Sequence, residues 1–76
     1  MTTRQALDHV RLTARDNGDV ITAGLSGDAG VMRYADQLSA QATALALAAG
    51  CSRIAIAQAE QDGYREAGID LPEVRA

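Results

Sequence analysis

The pair Asn17-Gly18 constrains this chain more than any other feature, because the residues on either side mirror one another when the backbone folds back about it. With Asn17 and Gly18 as a two-residue turn, Ala14 faces Ile21, Leu12 faces Ala23 and Val10 faces Leu25, and these side chains share one face. The other face carries Arg11, Thr13 and Arg15 opposite Gly24, Thr22 and Val20, the alternation of a half-buried hairpin. Asn-Gly suits such a turn because both central residues of a type I′ turn need positive φ. The spacing therefore predicts a β-hairpin.

Downstream, a glycine-rich connection over 24–30 leads into a long helix. Val31, Tyr34, Ala35, Leu38, Ala42, Leu45, Ala46 and Ala49 recur at helical spacing as one apolar stripe. Ser26 or Asp28 supplies an N-cap oxygen and Gly50 a left-handed stop. Ile54 and Ile56, two apart within 52–58, suit a third strand. Residues 60–67 read as a short helix stopped by Gly68, with Pro72 beyond. The predicted fold class is α+β: a β-hairpin, a long amphipathic helix, a third strand and a short C-terminal helix (ββαβα). The helix would cover the sheet face bearing Val10, Leu12, Ala14, Ile21, Ala23, Leu25, Ile54 and Ile56.

The alternative is an all-α three-helix domain. There Thr3 caps a helix with Ala6, Leu7, Val10 and Ala14 on one face, Asn17-Gly18 ends it, and 52–67 is one Ala-rich helix. That arrangement leaves Leu12 in solvent and Ile56 on the wrong side, and places Gly63 inside a helix at about 1 kcal/mol. The hairpin strands no large apolar residue, which favours it.

Seventy-six residues make a single small domain, 1–76, which buries only about 60% of its unfolded surface. With no Phe, no Trp, two Tyr and sixteen Ala, its core must be aliphatic and small-grained, which argues against a large substrate pocket. One cysteine, Cys51, excludes an internal disulfide and fits a reducing, cytoplasmic setting. Residues 1–5 lack the apolar core of a signal sequence, and no apolar run approaches the ~20 residues of a membrane span.

The formal net charge of −3 is unevenly spread. Residues 1–59 balance five Arg against five Asp, whereas the acidic C-terminal segment 60–76 holds Glu60, Asp62, Glu66, Asp70 and Glu73 against Arg65 and Arg75. Such a segment either docks on a basic protein surface or simply remains solvated.

Catalytic chemistry has little to draw on. His9 and Cys51 are the single residues of their kinds, and a nucleophile pair also needs an orienting group and a pocket. The chain is therefore read as a non-enzyme without cofactor or metal, zinc sites wanting four such ligands. Asp16-Asn17-Gly18-Asp19 lacks calcium-loop spacing. Gly24-x-x-Gly27-x-x-Gly30 misses the dinucleotide fingerprint, and Asp28 stands where an anion would sit. Arg11, Arg15 and Arg53 on the open sheet face make nucleic-acid binding an alternative function, weakened by the absence of aromatic stacking platforms. A second side of the long helix, Ala40, Ala44, Leu47 and Ala48, offers close approach for a homodimer.

Tyr34-Ala35-Asp36-Gln37-Leu38, together with small size, acidity and the lack of catalytic groups, resembles the phage-encoded anti-CRISPR inhibitors, one of which carries a similar Y-A-D-x-L segment on a helix. Those inhibitors share no common fold or motif, so the resemblance transfers no binding residue. It implies a mechanism class, the blocking of a nucleic-acid-handling complex through its basic surface. The expected function is accordingly a protein-binding module, an inhibitor or adaptor, whose Glu60, Asp62, Glu66, Asp70 and Glu73 meet a basic partner such as a CRISPR effector complex. The alternatives are a nucleic-acid binder and a homodimeric structural protein, and no membrane partner is expected.

Overall fold

A computed structural model describes residues 1–70. It contains three helices, α1 (Thr3–Thr22), α2 (Ala29–Ala48) and α3 (Arg53–Glu66), and no strand among the described residues. The predicted α+β fold is thus overturned in favour of the all-α alternative. α1 runs straight through Asn17-Gly18, and residues 52–58 form the cap and first turns of α3.

Each helix starts on a side-chain oxygen. Thr2, one residue before the expected Thr3, opens α1 with a capping box: the Gln5 amide donates to Thr2 Oγ1 at 3.1 Å and the Thr2 amide to Gln5 Oε1 at 2.9 Å. Asp28 caps α2 as expected, accepting from Gly30 N at 3.0 Å and Val31 N at 3.1 Å. Ser52 accepts from Ala55 N at 3.1 Å and starts α3 where a strand was predicted. The ends are equally uniform. At Gly50, with φ of 90°, the Cys51 amide reaches Ala46 O at 3.0 Å and the Gly50 amide Leu47 O at 3.0 Å, the paired bonds of a Schellman closure. Gly24 and Gly68 close α1 and α3 by the same pair of bonds.

The helices run up, down and up. Asn17 meets Ala35, while Ala6 and Val10 share one core cluster with Ala42 and Ala46, so α1 and α2 are antiparallel. Gly63 packs on Ala14 and Gly18 on Ala67, which sets α3 parallel to α1. This pair makes the closest approach in the molecule. A Cβ built on Gly63 would meet the carbonyl oxygen of Arg11, with Ala14 Cβ at 2.7 Å and Arg15 N at 2.9 Å, separations that real Cβ atoms do not reach. The glycine that seemed to count against a helix is what lets two backbones touch.

The same physics explains the missing hairpin. Asn17 and Gly18 are both buried in α1. Asn17 Nδ2 donates to the Ala35 carbonyl at 3.1 Å, tying α1 to α2. Beside it, Gly18 leaves room for Ala67 and Tyr64. A pair that is locally a turn signal is here the junction of three helices. Tertiary contact offsets the roughly 1 kcal/mol that an interior glycine costs a helix.

The core is small-grained as expected. Ala6, Val10, Ala42, Ala46, Cys51, Ile56 and Ala59 form it, and Val10 is the largest side chain that is almost wholly enclosed. Larger aliphatic groups lie outside. Leu12 is 37% exposed, as the all-α reading required, yet the exposed isoleucine of α3 is Ile54 and not the buried Ile56. The long apolar stripe of α2 is also divided: Ala35, Ala42 and Ala46 turn inward, whereas Tyr34 is 62% and Leu45 45% exposed.

Candidate functional site

A groove of about 360 Å³ lies between the parallel helices α1 and α3. Leu7, Ala55 and Ala59 give it an apolar floor, and Asp8, Arg11, Gln58 and Asp62 line it with polar groups. Its depth follows from the alanines at 55 and 59, which leave open the volume that longer side chains would occupy. Arg11 Nη1 donates to both Glu66 oxygens at 2.8 Å, and Arg11 Nη2 lies 3.9 Å from Asp8 Oδ1. Hydrogen bonding to Glu66 and its charge, with smaller help from Asp8 and Asp62, hold the Arg11 guanidinium above its usual range. Asp8 and Glu66 flank the Arg11 guanidinium, and Asp62 stands 4.0 Å from Arg65 Nη1, so carboxylates outnumber cations by one around the apolar floor.

Of the acidic residues predicted to bind a partner, Asp62 lines this groove and Glu66 pairs with its Arg11. Glu60 lies toward α2, where Thr43 Oγ1 donates to Glu60 Oε1 at 3.4 Å. Asp70 is exposed beyond α3, and Glu73 falls outside the described residues. Asp8 belongs with Asp62 and was missed, because it disappears into the neutral total of residues 1–59. Its spacing of three from Arg11 on a helix was the available signal.

The arginine face does not exist as predicted, since it required a sheet. Arg11 is engaged by Glu66, Arg15 Nε stands 3.9 Å from Asp16 Oδ1, and Arg53 is exposed at the start of α3. There Arg53 lines a second groove, of about 180 Å³, with Thr43, Ile56, Ala57 and Glu60. In the parallel register of α1 and α3 it sits about two turns from the level of Arg11. Cys51 and His9 are also apart: buried Cys51 Sγ contacts the Thr3 carbonyl at 3.6 Å, and exposed His9 lies six residues further along α1.

Among the described residues no three metal-ligating side chains converge as a site, and no helix is long and apolar enough to cross a membrane. Comparison with protein families, curated sequences and solved structures found no match to this chain.

Proposed function

We propose that this chain is a non-enzymatic protein-binding module, an inhibitor or adaptor that docks on a basic surface of a nucleic-acid-handling complex in the cytoplasm of a bacterial or phage-infected cell. The observation that supports this reading is the groove between α1 and α3. Its apolar floor of Leu7, Ala55 and Ala59 accepts the methylene stem of an arginine or lysine, while Asp8 and Asp62 meet the charged head. The residues resembling anti-CRISPR inhibitors, 34–38, lie on α2, away from this groove, and supply no binding residue to it.

Truncation at Glu60 would remove the half of α3 that carries Gly63 and so would unfold the molecule; charge reversal is the sharper test. Asp8→Arg combined with Asp62→Arg leaves the Arg11–Glu66 pair intact. Wild-type protein should retain partners from the source cell or its phage host at low ionic strength and lose them progressively near 0.1 M salt, where the screening length is about 10 Å. The double variant, shown to be folded by circular dichroism, should retain at least roughly tenfold less of the same partners, the loss expected for deleting charge-assisted contacts. Undiminished capture by the variant would refute the groove as the binding surface.

A further inference from the structure

We propose that α2 pairs with α2 of a second copy, antiparallel, along the seam Val31, Tyr34, Leu38, Gln41, Leu45 and Ala48. These six positions alternate three and four apart, the spacing of a coiled-coil seam. The structure leaves the seam uncovered. Tyr34 is 62% and Leu45 45% exposed, Gln41 and Ala48 are exposed, and Val31 and Leu38 are half-buried. An apolar stripe running from Tyr34 to Ala46 around the helix is wider than one neighbour can cover, and α1 covers the Ala35, Ala42 and Ala46 side.

Three observations select a second copy as the occupant. The seam matches itself when reversed: Val31 falls against Ala48, Tyr34 against Leu45 and Leu38 against Gln41, pairing larger with smaller groups at the ends and repeating each layer by two-fold symmetry. Gln41, the polar member, lies about 4.5 Å along the axis from its symmetry mate, within reach for amide hydrogen bonding that fixes the register. Residues 37–52 contain no charged side chain, so this face offers nothing to the basic partner proposed for the groove and has the charge-poor character of an interface core.

Area points the same way. From Val31 to Ala48 the seam is about 26 Å long, and one helix with its flank, roughly 20 Å across, gives a footprint on the order of 500 Å² per copy. Stable interfaces take about 800 Å² per partner and transient ones less than about 600 Å². A footprint of that size fits a reversible dimer. It also adds apolar burial to a core made of alanines with only Val10, Cys51 and Ile56.

Sedimentation velocity of the full chain from about 5 μM to about 1 mM tests this, a range chosen to bracket micromolar association. The wild-type mass should rise from 7.9 kDa toward twice that value. Tyr34→Glu and Leu45→Glu should move the midpoint at least about tenfold higher, one decade being 1.4 kcal/mol, while Leu47→Glu, about 160° around α2 from Leu45, should leave it within about twofold. On a C51S background, Y34C/L45C should form an intermolecular disulfide on oxidation and Y34C alone should not. A single monomeric mass throughout overturns the proposal. So does dissociation by Leu47→Glu to the same degree, or cross-linking of Y34C alone, which would mean a different face or a parallel pair. The groove lies on α1 and α3 and the seam on α2, so charge reversal at Asp8 and Asp62 should leave the dimer unchanged, and failure of either idea is visible without the other.

Discussion

Glycine 63 carries the tightest geometric demand in the molecule, and its effect on stability should have the opposite sign to propensity. In an ordinary helix interior, Gly→Ala stabilises by up to about 1 kcal/mol. Here the new methyl would press on the Arg11 carbonyl and the Arg15 amide, backbone atoms held inside α1, as well as on Ala14. Overpacking of a tight contact costs about 1–3 kcal/mol. Gly63→Ala should therefore be less stable by about 2 kcal/mol, or roughly 8–16 °C in melting temperature for a chain of this size, read by thermal circular dichroism. A higher melting temperature would show that α1 and α3 do not cross this closely. The same residue shows where sequence reasoning stops. Read alone, Gly63 breaks a helix and Asn17-Gly18 turns a chain, because local rules weigh each residue against water. What reverses both is a partner some fifty residues away, Ala14 for Gly63 and Ala67 for Gly18, and no spacing within either segment encodes it. Asp8 was hidden similarly, its role being set by Asp62 across the groove.

Helix boundaries were far more legible, since they are decided within a few residues. Ala23-Gly24-Leu25, Ala49-Gly50-Cys51 and Ala67-Gly68-Ile69 each close a helix, and the ends at Gly50 and Gly68 were anticipated from the glycines themselves. The first was masked by the hairpin reading of 10–25. A fourth such triplet, Ala29-Gly30-Val31, opens α2 instead, because Asp28 precedes it and accepts the amides of Gly30 and Val31. Thr2-x-x-Gln5 has the spacing of a capping box, a helix signal that the Thr3 cap of the all-α alternative misses by one residue. Gly50, like Gly24 and Gly68, has a left-handed backbone that other residues rarely copy. At φ of 90° a Cβ is strained even though nothing crowds it, and left-handed geometry costs an L-residue about 1–2 kcal/mol. Gly50→Ala should lose about 1 kcal/mol in urea unfolding with an unchanged m-value, and no loss would mean that the α2–α3 connection can relax into another closure.

At the scale of the whole molecule, the two ends of the bundle are built from different materials. One end holds Ala6, Ala46 and Cys51, an apolar plug; the other holds Asn17, Gly18 and Tyr64, where three helices meet around polar groups. Burial, followed by the negative charges of Glu60 and Asp36, pushes the Tyr64 hydroxyl above its ordinary value of 10.0, and Asn17 only partly opposes this. The fold thus prefers the neutral phenol. Because the folded value lies above the unfolded one, the stability this contributes is fully present below about pH 10 and is lost as pH rises through the folded value. Alkaline titration should accordingly loosen the junction. In a Tyr34→Phe background, the ultraviolet absorbance of Tyr64 should titrate with a midpoint above 10.0, and the melting temperature should fall over the same interval. Tyr64→Phe, which has no ionisable hydroxyl, should show a flatter decline across that pH range. A Tyr64 midpoint at or below 10.0, or an equally steep decline in Tyr64→Phe, would mean that the three helices do not close around this phenol.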